Sequence, residues 1–340
     1  MLNKYIWRIN LSTFIVLAAL LFFQTDLKAQ SEAGAAEMEK AIVSAEAAED
    51  AGAQARLEEI PEFRKKLKLA ISEKEEAGPE EEEAPFTYES YLRYLPAGKV
   101  SAQPGKVGVI DTMSEYNYEY KVFGKLPLEF SFQHQYISVN NSTVVKLPAR
   151  LTSFSFGLDA TFPFLNIKDT YLRIGVSPSF NTDNWSFYEN SFRIPQRYFA
   201  IYQPDKKLIA ILGFAVFPRY RTVFLPIAGI IYKPDDKWLF NLVPSRPTIE
   251  YKVNDKLTAF AEYSGTMEEF VVTKDDIKGT ALEYEEQHAG AGLRYNFNKK
   301  IMVSLAVGGA FARKLQYRDS LGKVRPDSGF YTEFRMEIDI

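Results

Sequence analysis

Four short segments of this chain repeat one design. Ile201-Tyr-Gln-Pro-Asp-Lys-Lys-Leu208, Ile231-Tyr-Lys-Pro-Asp-Asp-Lys-Trp238, Glu250-Tyr-Lys-Val-Asn-Asp-Lys-Leu257 and Arg294-Tyr-Asn-Phe-Asn-Lys-Lys-Ile301 each run from a tyrosine through an Asn/Asp turn to a lysine, with a large apolar residue directly after it. Asn and Asp suit such corners because their side chains bond nearby backbone and tolerate left-handed φ. Connections this short join antiparallel neighbours. Repeated along the chain, they demand a many-stranded antiparallel sheet whose tight turns share one rim. Asn166–Tyr171 and Gly124–Pro127 read as looser versions of the same corner.

The segments between corners alternate with period two. In Ile301–Phe311 the odd positions carry Ile, Val, Leu, Val and Phe, and the even ones are mostly small. From Phe330 to Ile340, Phe, Thr, Phe, Met, Ile and Ile face Tyr, Glu, Arg, Glu and Asp. Alternation alone also fits a soluble sandwich. The other ends of the strands meet at longer polar stretches: Asn140–Leu147, Asn181–Asn190, Thr273–Thr280 and Asp319–Ser328. Short turns at one rim and long loops at the other form the pattern of an outer-membrane β-barrel, with the corner tyrosines as an aromatic girdle. The expected fold is all-β, a closed antiparallel transmembrane barrel over residues 86–340. The corners imply fourteen strands, with twelve as the alternative, because the pair flanking Val243–Pro247 is short and interrupted by prolines.

Two unlike segments precede the barrel. Lys4 and Arg8 lead into an apolar run, Leu11–Phe23, and a polar stretch ending at Ala29. That is a secretory signal peptide over 1–29, too short in its apolar part for a membrane-spanning helix. Residues 30–85 are rich in Ala and Glu. Within 31–84 there are 16 acids, 7 bases and one aromatic, Phe63. Such a segment cannot offset its chain entropy with a core of its own, so the expectation is a helical or disordered acidic spacer. Localisation follows: the cell outer membrane of a Gram-negative bacterium, after Sec-type export.

The stretch Pro226–Tyr251, with its G-x-x-Y-x-P-x-x-x-W corner and following P-x-x-P, and more broadly residues 105–340, resemble an outer-membrane β-barrel family known only as a domain of unknown function. The resemblance implies fold and compartment and carries no catalytic residues. The chain ends in Ile340, whereas barrel proteins commonly end in an aromatic.

Little chemistry is on offer. With no cysteine there is no disulfide, thiolate zinc site or iron–sulfur cluster. His134 and His288 are the two imidazoles, and neither sits in a nucleophile motif. Glu268-Glu269 and Glu285-Glu286 read as loop or rim charges, and no calcium-loop spacing occurs. A formal charge of −3 gives no footing for nucleic acid. No catalytic, cofactor or metal residue is expected. With apolar phases taken as outward, the lumen receives Glu119, Lys121, Glu129, Asp159, Arg173, Arg193, Arg197, Glu250, Lys252, Glu262, Arg294, Glu333, Arg335 and Glu337. These either line a weakly selective water-filled pore or pair across a filled barrel. The first makes the protein a non-enzymatic passive channel or small-solute transporter. The second makes it a structural or adhesive anchor whose arm, residues 30–85, binds a periplasmic partner. A membrane-embedded hydrolase is a third reading. The expected partners are outer-membrane lipids, the barrel-assembly machinery and a small solute.

Overall fold

The computed structural model describes residues 86–340, apart from 123–125, 165–166, 185–187, 221, 245 and 319–320. The expected leader, the acidic spacer and parts of the two looser corners lie outside the described residues. Seventeen strands form one sheet. They are β1 (Phe86–Lys99), β2 (Lys106–Val122), β3 (Leu126–Asn141), β4 (Arg150–Pro163), β5 (Thr170–Val176), β6 (Ser179–Thr182), β7 (Phe192–Arg193), β8 (Gln196–Tyr202) and β9 (Leu208–Val216). Then come β10 (Phe224–Tyr232), β11 (Trp238–Asn241), β12 (Thr248–Lys252), β13 (Leu257–Lys274), β14 (Ile277–Asn296), β15 (Ile301–Tyr317), β16 (Lys323–Val324) and β17 (Gly329–Asp339).

Two staves are broken in the middle: β5 continues as β6, and β7 as β8, each pairing with the other in two pieces. The breaks fall at Ser177-Pro178 and Ile194-Pro195, where proline removes a ladder donor. The small β16 is a ribbon on β15. The result is fourteen staves, each antiparallel to its neighbours, and β1 closes on β17 from Thr87↔Asp339 to Tyr94↔Thr332. Closure gives the backbone N–H groups partners inside hydrocarbon, where water cannot serve. The chain folds as an outer-membrane β-barrel of fourteen staves, not twelve.

The four corners fold alike. Asp205 accepts the N–H groups of Lys207 and Leu208 at 2.7 and 2.9 Å, and Asp235 those of Lys237 and Trp238 at 2.8 and 2.9 Å. Asn254 and Asn298 do the same for Lys256-Leu257 and Lys300-Ile301. One side-chain oxygen thus satisfies both donors that the reversal frees. Exposed Tyr202, Trp238 and Tyr295 mark this rim. Across the wall, the lipid side is apolar: Phe156, Leu212, Leu305 and Val307 are 56–68% exposed, while Ser304, Ala306 and Ala310 are buried inside.

At the opposite rim the expected long loop Thr273–Thr280 is absent. β13 and β14 run on to a two-residue turn, Asp275-Asp276, with φ of 46° and 66°. Aspartate tolerates that left-handed geometry, which fits the twist of a two-residue hairpin. Glu268-Glu269 and Glu285-Glu286 are therefore strand residues, and Glu269 and Glu286 are buried rather than at a loop or rim.

The staves are unequal. β11 and β12 have four and five residues, beside 18 in β13. Beyond Tyr263, β13 stays paired with β14 on one edge, while the edge left by β12 meets β6 in a parallel bridge, Val271↔Thr182. Asn181 donates to the Glu269 carbonyl at 3.2 Å, and Thr273 N–H donates to Asp183 at 2.9 Å. Phe270, Val271 and Val272 are buried in succession, which alternation in a simple wall would forbid. This seam divides the long-loop half of the interior. On one side lies an apolar core with Leu95, Ile137, Leu151, Phe270, Leu282 and Leu315. On the other, β8–β10 hold a second apolar cluster.

Candidate functional site

The interior of the barrel carries charges, and each described cluster is neutralised locally. Near the short-turn end, Arg173 on β5 reaches Glu129 on β3 at 2.9 Å and Asp159 on β4 at 3.1 Å, and Arg197 on β8 meets the second Asp159 oxygen at 3.0 Å. At mid-height Arg93 lies 2.6 Å from Glu333 and 3.5 Å from Asp111, which also accepts from Tyr91 and Gln135. Arg335 pairs with Glu262 at 2.6 Å and with Glu333. Arg294 meets Glu250 at 2.6 Å under the Phe260 ring. Glu286 is held by Arg313 at 2.5 Å, His288 at 2.7 Å and the Tyr284 hydroxyl at 3.1 Å. At the seam Arg193 pairs with Glu269 at 2.5 Å and stacks on Tyr220.

Buried ions of mixed sign persist only when paired and hydrogen-bonded. Arg93–Glu333 and Arg313–Glu286 join adjacent staves, whereas Arg173–Glu129, Arg294–Glu250, Arg335–Glu262 and Arg193–Glu269 reach past one or more intervening staves. The described pairs set no ring of one sign, which a strongly selective ion filter would need.

The expected lumen charges fall in three groups. Glu129, Asp159, Arg173, Arg193, Glu250, Glu262, Arg294 and Glu333 are buried, and Arg197 and Arg335 are mostly so. Glu119 and Glu337 are half-buried near the short-turn rim. Lys252 and Lys121 are exposed. Lys252 sits on the inward phase but only one residue before its corner, and its ammonium turns to Asp255 of that corner, 2.8 Å away. It belongs to the rim rather than the lumen wall.

The alternation reading missed Arg93, Asp111, Arg246, Glu269, Glu286 and Arg313. Inward residues of β1 and β2 include Tyr91, Leu95, Val107 and Val109, so the apolar phase there points inward and misleads. On β15 a bulge at Ala312, φ 50°, inverts the phase, so that Ala310 and Arg313 both point inward. Arg246 lies on the loop between β11 and β12, where period two says nothing.

His288 is fully buried, edge-on to Tyr331, and cross-strand from Ser264. Its Nε2 is engaged by Glu286, and no described contact joins it to the Ser264 hydroxyl. His134 stacks on Phe154 at 4.5 Å. Among the described residues no group of three or more His, Asp or Glu is arranged to hold a metal.

The second apolar cluster is different in kind. Phe199, Ile201, Ile211, Leu225, Ile227 and Val243 belong to it, and all are buried on the inner side of β8–β10. Their outward neighbours Leu212, Phe224 and Ile230 are exposed to lipid, so both faces of these staves are apolar. Val243, in the connection between β11 and β12, packs into this cluster. Val243 packs on Gly229, where an added Cβ would stand 2.8 Å from the Val243 Cα. Arg246 extends from this loop to Glu262 at 2.9 Å and Glu333 at 3.5 Å.

Residues 125–333 match the model of a family described as a domain of unknown function, DUF6268. No curated protein matches the chain. Among solved structures it is similar to the COG4313 outer membrane channel from Pseudomonas putida F1, with 12% identity over 77% of this chain and 99% of that one, TM-score 0.44. It is also similar to the KdgM porin (9% identity, 75% and 99%, TM-score 0.30) and to a Pseudomonas aeruginosa FadL homologue (10%, 75% and 89%, TM-score 0.38). The family model covers more than half of the chain, and the protein therefore belongs to the DUF6268 family.

Proposed function

We propose that this protein is a non-enzymatic, passive transporter of small solutes with a narrow, divided interior, and not a wide general pore. The observation that carries the reading is the contrast between the two inner walls. The inward charges are engaged with one another in buried ion pairs, whereas the inner side of β8–β10 carries a buried apolar cluster. A wide aqueous pore would keep its lining charges hydrated and exposed. A solute with an apolar part gains by leaving water for the second wall.

Proteoliposome swelling tests this with uncharged solutes graded from simple sugars to short alkyl glycosides. Faster entry of the alkyl-bearing members supports the reading. Equal entry of all of them indicates a wide pore. Entry of none, with folded protein verified, supports a filled structural anchor, a reading that the buried ion pairs also favour. The partners that accompany the proposal are outer-membrane lipids around the apolar girdle, the barrel-assembly machinery during insertion, and a periplasmic partner for residues 30–85. Sec-type export and cleavage near Ala29 belong to the same proposal, and mass analysis of the mature N-terminus tests them.

A further inference from the structure

An amide faces lipid on the outer side of β8. Arg193, Phe199 and Ile201 are buried inside, so Phe192, Ile194, Gln196, Tyr198, Ala200 and Tyr202 share the outward phase of β7–β8. Phe192, Ile194 and Tyr202 are 40–48% exposed. From the short-turn rim at Tyr202 to Phe192 the column has about the length that a lipid-crossing strand needs, 9–11 residues. Gln196 stands near its middle, roughly 14 Å above Tyr202 at ~3.3 Å per residue and a tilt near 45°, inside an apolar band of about 25 Å. Its cross-strand neighbours on that face are Val176 and Val216. The Gln196 carbonyl accepts from the Tyr198 hydroxyl at 2.8 Å, and its NH2 group has no partner among the described residues.

Directly above Gln196 the wall is also interrupted. The break at Ser177-Pro178, between β5 and β6, lies beside the break at Ile194-Pro195, between β7 and β8. One described bond, Ser177 N–H to Pro195 C=O at 2.9 Å, crosses it. Each proline removes a ladder donor, so regular pairing cannot run through. Irregular backbone at membrane depth persists where protein covers it. Polar side chains in hydrocarbon likewise turn to protein partners, and hydrogen bonds between them hold membrane proteins together. An interrupted ladder and an unsatisfied amide therefore ask for the same cover at the same height.

We propose that this face is the interface of a two-fold dimer, and that its occupant is a second copy of this chain. Every copy enters the membrane with its short-turn rim on the same side, so a two-fold axis along the membrane normal keeps each residue at its own depth. Gln196 then meets Gln196 of the second copy. The NH2 group of each donates to the carbonyl of the other, and the carbonyl that accepts from Tyr198 has a second lone pair for the purpose. The interface is isologous, one patch used twice. Ile194 and Phe192 of both copies close over the breaks. Tyr198, Phe214 and Phe224, stacked across β8–β10 with ring centroids 5.0 and 5.3 Å apart, form a stiff aromatic flank. The dimer does not depend on what the barrel transports.

The absence of native cysteine makes the test clean. The full chain carrying Ile194→Cys is folded in phosphatidylcholine vesicles at high lipid-to-protein ratio and oxidised with copper phenanthroline. Disulfide-linked dimer is measured against Leu305→Cys, a lipid-facing position on β15 that is more exposed, 59% against 40%. A position beside a two-fold axis links to itself, so Ile194→Cys should give several-fold more dimer. Adding Gln196→Leu should lower that yield several-fold, and Gln196→Asn, which keeps the amide, should lower it less. Sedimentation in density-matched detergent reads the unaltered chain, where a dimer is expected, and Gln196→Leu, where a monomer is expected. A monomeric unaltered chain overturns the proposal, and so does self-linking at position 194 no greater than at 305. A dimer that Gln196→Leu leaves intact overturns it as well, since the amide would then simply face lipid. A trimer or larger ring overturns the two-fold arrangement. If Ile194→Cys fails to insert, sedimentation decides alone.

Discussion

The seam between β13 and β6 gives the sharpest energetic prediction, centred on Arg193 and Glu269. Their side chains are each 2% exposed and 2.5 Å apart. Arg193 also donates to the Glu269 carbonyl and lies 4.2 Å from the Tyr220 ring centroid. Arg193→Met removes these contacts and leaves a buried carboxylate. Breaking a buried pair from one side costs about 3–5 kcal/mol. Arg318 still pairs with Glu269, although its side chain is 40% exposed, so the expected loss sits near the low end, about 3 kcal/mol. Glu269→Gln keeps the shape and loses one charge-assisted bond, about 1.5–3 kcal/mol. In the double variant neither charge is stranded by the other's loss, and the two costs should fall short of additive by roughly 2 kcal/mol, within the range for contacting residues. Urea unfolding from vesicles reads this as midpoint shifts. At about 1–3 kcal/mol per molar urea, Arg193→Met should lower the midpoint by roughly 1–3 M. Strict additivity would show that the two side chains do not meet, and with that the crossing of β13 to β6 would lose its main support.

Other outcomes follow from single positions. Leu305, 59% exposed on the lipid face, should not tolerate Arg: about 2–4 kcal/mol is lost near the bilayer midplane, seen as reduced insertion against Leu305→Ala in a vesicle folding assay. The Asp235 carboxyl is held below its usual value, near 3.8, by the N–H groups of Trp238 and Lys237. A depressed carboxylate stabilises its turn above the unfolded-state pKa, and that contribution fades as pH falls through the folded value. Amide protection at Lys237 and Trp238 should therefore drop in acid below pH about 4, while the Asn298 corner, which contains no carboxylate, keeps its protection at Lys300 and Ile301. Deleting residues 30–85, whose 31–84 stretch carries one aromatic and a net charge of −9, should leave the barrel folded by heat-modifiable gel migration. Failure to insert would assign the segment a part in assembly.

Much of the wall was legible because lipid imposes a strict code. Alternation in Ile301–Phe311 places Leu305 outward and Ala306 inward, and the four corners mark strand ends because each needs an Asn or Asp oxygen facing two freed N–H groups. The code fails where the barrel stops being a uniform wall. Ala312 inverts the phase through a bulge that composition does not announce. Proline at 195 was visible, but its effect, splitting one stave into β7 and β8, depends on the partner split at Pro178. The shortness of the pair beside Val243–Pro247 was readable, whereas the inward fold of that loop rests on contacts from Arg246 to strands 16 and 87 residues away. Glu269 and Glu286 look like surface acids in sequence. Their burial follows from β13 and β14 extending past the expected loop to a two-residue turn.

Planar-bilayer conductance of the folded full chain tests the central claim most directly, namely that the described inward charges neutralise one another and leave no wide water-filled path. The account predicts a bilayer without stable open levels in molar potassium chloride, despite insertion verified by protease protection. Persistent steps that scale with salt concentration in the unaltered chain would contradict it.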